Sequence, residues 1–224
     1  MKKESLKRNT QAVCDLVDRL KKPGRRTIVA IAGAPASGKS TLAADVVKAL
    51  NAKGDVKGNA IGAEHESPNA ALLPMDGYHL DNRILKAHGL LARKGAPQTF
   101  DAVGFCEAVK GLANSSALRF FPTFDRNLDV AIAGAIEISP STPIIVVEGN
   151  YLLLRSAPWD GLAEAFTASV FVNPGLELLR RRLNKRWLRY GLDPEAAAKR
   201  TEMNDMVNAR LVLEESRPAD LMLD

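Results

Sequence analysis

The chain has 224 residues, 46% apolar and 25% charged, an ordinary globular composition that excludes a disordered or collagen-like polymer. Its opening, MKKESLKRNT, has no apolar run behind its lysines, and no window approaches the ~18 uninterrupted apolar residues that span a bilayer, so the expectation is a cytoplasmic protein with no membrane partner. A formal charge of +5 fits an anionic small molecule as well as nucleic acid, and Cys14 and Cys106 are too few and too far apart for a disulfide framework or a metal site.

In chain order, Leu6, Val13, Leu16, Val17 and Leu20 recur near helical spacing, and Pro23-Gly24 ends that pattern before a β-branched strand over residues 27–31. Leu42, Val46, Val47 and Leu50 mark one face of a second helix, followed by a polar, Gly-rich stretch over residues 53–69 expected to be a surface connection. A short apolar strand over 70–75 leads to a polar motif and then to a helix through Ile84 and Leu85. Helical patterning covers 102–112, and strands are expected at 118–121, 135–138, 143–147 and 168–172. A basic helix follows over 177–190, Asp193-Pro194-Glu195 starts another, and residues 220–223 could add a last strand. Continuous apolar strands alternating with helices predict a single α/β domain, a parallel sheet covered on both faces, with no internal repeat and no linker.

Gly33-Ala-Pro-Ala-Ser-Gly38-Lys39-Ser40 matches G-x-x-x-x-G-K-[ST] and lies between a predicted strand and a predicted helix, the context this phosphate-cradling loop requires. Gly33, Ala34, Ala36 and Ser37 form its first part; Gly38, Lys39, Ser40 and Thr41 open the helix, where consecutive N–H groups can turn toward phosphate oxygens. Lys39 would reach the β- and γ-phosphates of ATP, and the Ser40 hydroxyl would coordinate Mg²⁺. Ile144-Ile-Val-Val-Glu148 ends an apolar strand in a carboxylate, which in an open α/β sheet emerges beside the ligand crevice and suits the metal side.

The stretch Pro74-Met-Asp-Gly-Tyr-His-Leu-Asp-Asn82 follows an apolar strand and should open on the same sheet edge. Asp76 is a candidate base or orienting carboxylate for an alcohol attacking the γ-phosphate, and Gly77 would let the chain turn sharply. Tyr78 and His79 could wall an acceptor pocket. Asp81 could bond an acceptor hydroxyl or cap the next helix. No spacing of His, Cys and acids argues for a tightly bound transition metal.

Together, GAPASGKST, MDGYHLDN, RKGAPQTFD (93–101), PTFDRNLD (122–129) and VVEGNYLLL resemble the P-loop kinase family of uridine kinase, phosphoribulokinase and type I pantothenate kinase, in that family's motif order. The nearest resemblance is to the bacterial nucleoside/nucleotide kinase-like or fructose transport system kinase (fructokinase) branch. The resemblance implies a P-loop NTPase fold, three layers α/β/α with a mostly parallel sheet, and a helical lid over about 177–205. It implies transfer of the ATP γ-phosphate to a hydroxyl of a small metabolite, with Asp76 at the catalytic aspartate and Glu148 at the acid of the metal-side strand. Asp125-Arg126 matches a tyrosine-aspartate-arginine motif lining the acceptor site, although Phe124 stands where the family has tyrosine; Arg93 and Lys94 fall in the matching acceptor-side loop. Arg182 and Arg186, four apart on one helix face beside a stripe of Leu179, Leu183 and Trp187, match the lid arginines that touch phosphate. The acceptor expected is a sugar such as fructose or a related polyol, with a nucleoside or pantothenate as alternatives and a nucleotide-switched binding protein ranked below. No nucleic acid partner is expected, aromatic residues being only 5% of the chain without a base-stacking motif; a homodimer is possible.

Overall fold

Alternation along the first strand sends Ile28, Ala30 and Ala32 into one buried cluster and Val29 and Ile31 into another, so this strand is covered on both faces. The computed structural model describes residues 3–53 and 68–224; most of the connection expected over 53–69 lies outside the described residues. The elements run α1 (Lys3–Leu20), β1 (Thr27–Gly33), α2 (Lys39–Lys53), β2 (Ala70–Pro74), α3 (Asn82–Ala87), α4 (Ala102–Leu112), β3 (Arg119–Asp125), β4 (Val130–Ile138) and β5 (Ile144–Gly149). They continue with β6 (Ala168–Val172), α5 (Leu176–Arg189), α6 (Pro194–Arg200), a π-helical turn (Thr201–Asp205), α7 (Met206–Glu215) and β7 (Leu221–Leu223).

Five strands form a sheet in the order β2-β5-β1-β6-β7, and every pairing in it is parallel. Helices α1 and α2 cover one face through Val13, Val17, Leu42 and Val46. Helices α4, α5 and α7 cover the other, where Phe105, Leu183, Val212 and the rings of Tyr151 and Trp159 fill the core. The result is the three-layer α/β/α arrangement expected from the strand and helix pattern. Register fixes the working edge: Pro74 pairs with Glu148, and Glu148 with Ile31. The carboxyl ends of β2, β5 and β1, carrying Asp76, Glu148 and the glycine loop, therefore open together.

The strands expected at 118–121 and 135–138 are parts of a longer antiparallel hairpin, β3–β4, which stands outside the parallel sheet. Its turn is made by Asp125, whose carboxylate accepts from the N–H groups of Asn127 and Leu128 at 2.8 and 3.0 Å. Helix α7 and the π turn before it had no periodic signal strong enough to assign.

Candidate active site

The glycine loop is shaped by close approach. A Cβ at Gly33 would lie 2.6 Å from the Val172 carbonyl oxygen and 2.9 Å from Ser37 Oγ, and Gly38 sits at φ +104°. Ala36 also has positive φ (64°), a left-handed conformation costing a residue with a Cβ roughly 1–2 kcal/mol. Arg182 holds that turn from α5, donating from Nη1 to the carbonyls of Ala36 (3.1 Å) and Ser37 (2.9 Å). The strained cradle is thus fixed by a charged clamp, a fit for a chain of phosphates at a helix N-terminus.

Behind the loop, Lys39 Nζ lies 3.6 Å from Glu148 Oε1, and Ser40 Oγ donates to the same oxygen at 3.0 Å. Both charged groups are buried. Burial pushes the Lys39 ammonium down and the Glu148 carboxyl up, and the charge of each is the largest influence opposing the shift of the other. Among the described residues no group of three His, Cys, Asp or Glu gathers to hold a metal alone. The hard oxygens of Ser40 and Glu148 suit Mg²⁺, which keeps waters and phosphate oxygens for its other positions.

Asp76 stands in a short 3₁₀ turn (Met75–Tyr78) beyond β2, and its carboxylate is ion-paired with Arg126 from the β3–β4 turn. His79 Nδ1 lies 2.8 Å from the Asp76 carbonyl oxygen, and its ring lies between Phe100 (4.0 Å) and Phe124 (4.5 Å). Burial lowers the pKa of this imidazole against the opposing pull of Asp76, favouring the neutral ring. Phe124, at the position where the family has tyrosine, thus contributes an aromatic face.

A cavity of about 740 Å³ joins these parts. Among the residues singled out in the sequence, Ala36, Gly38, Lys39, Ser40 and Thr41 line it from the glycine loop, and Asp76, His79, Lys94, Arg126 and Arg186 line it from other elements. Gly33, Ala34 and Ser37 are buried within the loop and do not line the cavity, and Glu148 sits behind Lys39 and Ser40. Four expected acceptor residues face elsewhere. Tyr78 packs against Phe105 at 5.1 Å, its phenol pushed up to about 12 by burial. Asp81 takes the capping alternative, accepting from the Arg83 N–H at 2.8 Å at the start of α3. Arg93 donates to the Met203 carbonyl (2.9 Å) and to Asn208 Oδ1 (3.3 Å), and Asp125 is consumed by its turn. Arg182 bonds the carbonyls of the loop, so that of the expected pair of lid arginines only Arg186 lines the cavity.

Residues that sequence reasoning missed complete the wall: Phe100, Asp129, Asn150, Trp187, Arg200 and Asp205. Trp187, read as part of an apolar stripe, donates its indole N–H to Asp205, and the Arg200 guanidinium lies 5.2 Å over its ring. The segment expected as a lid is tied to the loop over 91–99 by Arg200 to the Ala92 carbonyl (2.8 Å), Asn204 to the Lys94 carbonyl (3.0 Å) and Arg93 to the Met203 carbonyl, and a second Arg93 bond reaches Asn208 in α7.

No family model matches the chain. It is 33% identical over 202 residues to "Uncharacterized protein YggC" of Escherichia coli, covering 90% of this chain and 79% of that protein. It is 31% identical over 211 residues to "Putative uridine kinase C227.14" of Schizosaccharomyces pombe, covering 91% and 85%. Among solved structures, it is 40% identical to a "putative fructose transport system kinase" from Silicibacter sp. TM1040, with a TM-score of 0.85 and coverage of 96% and 98%.

Proposed function

The chain belongs to the P-loop kinase family that includes uridine kinase and pantothenate kinase, ATP-using enzymes of small molecules, and from that premise we propose that it transfers the γ-phosphate of ATP to a hydroxyl of a sugar such as fructose or a related polyol. The observation that carries the reading is that Asp76 lines one cavity together with Lys39, Ser40, Arg186 and the rings of His79, Phe100 and Phe124. The name borne by the 40% identical structure supports a sugar as the acceptor.

In this reading the loop N–H groups and Lys39 bind and orient the phosphates, and Arg182 keeps the loop in its strained shape. Mg²⁺, held by Ser40 and Glu148, would supply charge neutralisation between the phosphate oxygens. Asp76 accepts the acceptor's hydroxyl hydrogen and aims its oxygen at the γ-phosphate, and Arg126 fixes the carboxylate's orientation. Arg186 supplies positive charge where negative charge shifts during transfer. The lid, over about 177–205 of a single kinase domain, would exclude water on closing.

The test is coupled ADP release from ATP and Mg²⁺ across sugars, polyols, nucleosides and pantothenate, with Asp76→Asn beside the unaltered chain. The expected result is stimulation by a sugar or polyol that falls roughly 10²- to 10⁴-fold in the variant. Stimulation by a nucleoside alone, or retained in Asp76→Asn, would reject the reading.

A further inference from the structure

The cations around the acceptor end of the cavity are already engaged by the chain. The Lys94 ammonium has three N–H donors and three partners: Asn82 Oδ1 at 2.7 Å, the Asp129 carbonyl at 3.1 Å and the Asp129 carboxylate at 2.9 Å. Arg126 is paired with Asp76. Arg200 is bonded to the Ala92 carbonyl, stacked on Trp187 and set in the field of Asp205. Among the described cavity residues Arg186 is the guanidinium with no hydrogen bond or ion pair; it lies in the fields of Asp205, Arg126 and Asp76, and in the kinase reading it serves the transferred phosphate.

One buried polar group of the cavity wall asks for a hydrogen-bond donor. Asn150 Oδ1 is buried on the cavity wall without a partner, an acceptor that a hydroxyl satisfies and an anionic oxygen does not. The Phe100, His79 and Phe124 rings line the same cavity and offer apolar surface for C–H groups. A phosphate or carboxylate placed there would face Asp76 and Asp129 and would have to displace one of them from its cation.

We propose that the acceptor is an uncharged, hydroxyl-rich molecule, and that sugar phosphates and carboxylate-bearing alcohols are disfavoured because Asp129 and Asp76 already pair with the cations, Lys94 and Arg126, that would receive them. The inference rests on the kinase reading and narrows its substrate class. Asp129 is the specificity-determining residue: it sits at φ 56°, a conformation that asparagine tolerates well, so Asp129→Asn removes the charge without demanding a new backbone.

The deciding experiment is calorimetric titration of inorganic phosphate into the chain saturated with Mg²⁺ and a non-hydrolysable ATP analogue. The expected result is no measurable binding in the unaltered chain and binding in Asp129→Asn at least about tenfold tighter than the weakest affinity the titration detects, lost again in Asp129→Asn/Lys94→Met. Phosphate binding in the unaltered chain that depends on Lys94 or Arg126 would overturn the proposal. So would an Asp129→Asn chain that stays closed to phosphate, since charge pairing would then not be what excludes anions. A kinetic arm compares matched pairs: fructose with fructose 6-phosphate, ribose with ribose 5-phosphate, pantothenol with pantothenate. Greater stimulation of ADP release by a charged member also overturns it. Should no member stimulate release, the sugar kinase reading fails by itself, and the phosphate titration still decides the charge selectivity of the site.

Discussion

Gly77→Ala is the most informative single perturbation of the acceptor wall. A Cβ at this position would lie 2.2 Å from the Pro122 carbonyl oxygen, 2.6 Å from its carbon and 3.1 Å from the Thr123 nitrogen. These are backbone atoms of β3, so no flexible side chain can yield. Ordinary contact begins near 3.4 Å, so the turn and the hairpin must separate by about 1.2 Å. Such overpacking costs typically 1–3 kcal/mol. The displaced hairpin carries Phe124, packed 4.5 Å from His79, and Arg126, paired with Asp76. A shift of about 1 Å in a positioning element can lower turnover by about 10²-fold. The assay is urea unfolding together with coupled ADP release and direct titration of ATP. The expected outcome is lower stability by about 1–3 kcal/mol, a roughly 10- to 100-fold fall in acceptor-dependent kcat/KM, and ATP affinity within about twofold, because the glycine loop does not touch this contact. Unchanged turnover, or a parallel loss of ATP affinity, would refute the view that Gly77 is needed for clearance beneath β3.

Three further outcomes follow from other contacts. Lys39→Met leaves Glu148 buried without its cation and should destabilise the fold by about 3–5 kcal/mol, a penalty that Lys39→Met/Glu148→Gln relieves; a double-mutant cycle in urea measures the coupling, and equal losses in both would sink the pairing. Burial depresses the His79 pKa, so the unfolded chain binds the extra proton: this contribution is fully present above the unfolded value near 6.5 and is lost as pH falls toward the folded value. His79→Gln should therefore show a smaller drop in unfolding free energy between about pH 7.5 and pH 5 than the unaltered chain, and an identical pH slope would contradict the assignment. Arg182→Ala releases the carbonyls of Ala36 and Ser37 and should weaken ATP binding about tenfold, read by titration with the non-hydrolysable analogue; unchanged affinity would show that the loop keeps its left-handed turn unaided.

What could be read in advance follows from range. The glycine loop is a local pattern with a backbone consequence, and Asp76 and Glu148 announce themselves by ending apolar strands, so β1, β2, β5 and their carboxyl edge were legible from a few residues each. The hairpin was harder. Val130-Ala-Ile-Ala-Gly-Ala135 alternates poorly and is exposed throughout, so burial leaves no period-2 trace in it. Pairings such as Lys94 with Asp129, 35 residues apart, or Trp187 with Asp205, reached through a π turn, have no spacing rule that could reveal them.

Gly77 shows how a correct residue can be given the wrong reason. Its presence in MDGYHLDN suggests a sharp turn, yet its φ lies outside the left-handed region, and the demand is for space beneath another strand. The acceptor-side charges were legible only through the family resemblance, which places Arg93 and Lys94 in the acceptor-side loop; the structure shows their donors taken by Met203, Asn208, Asn82 and Asp129, partners that no sequence spacing reveals. In the proposed reading the positive charge that the composition shows is divided: Lys39 and Arg186 would serve the phosphates, while Lys94 and Arg126 are paired with Asp129 and Asp76, an arrangement suited to bringing a strongly anionic donor to an uncharged alcohol.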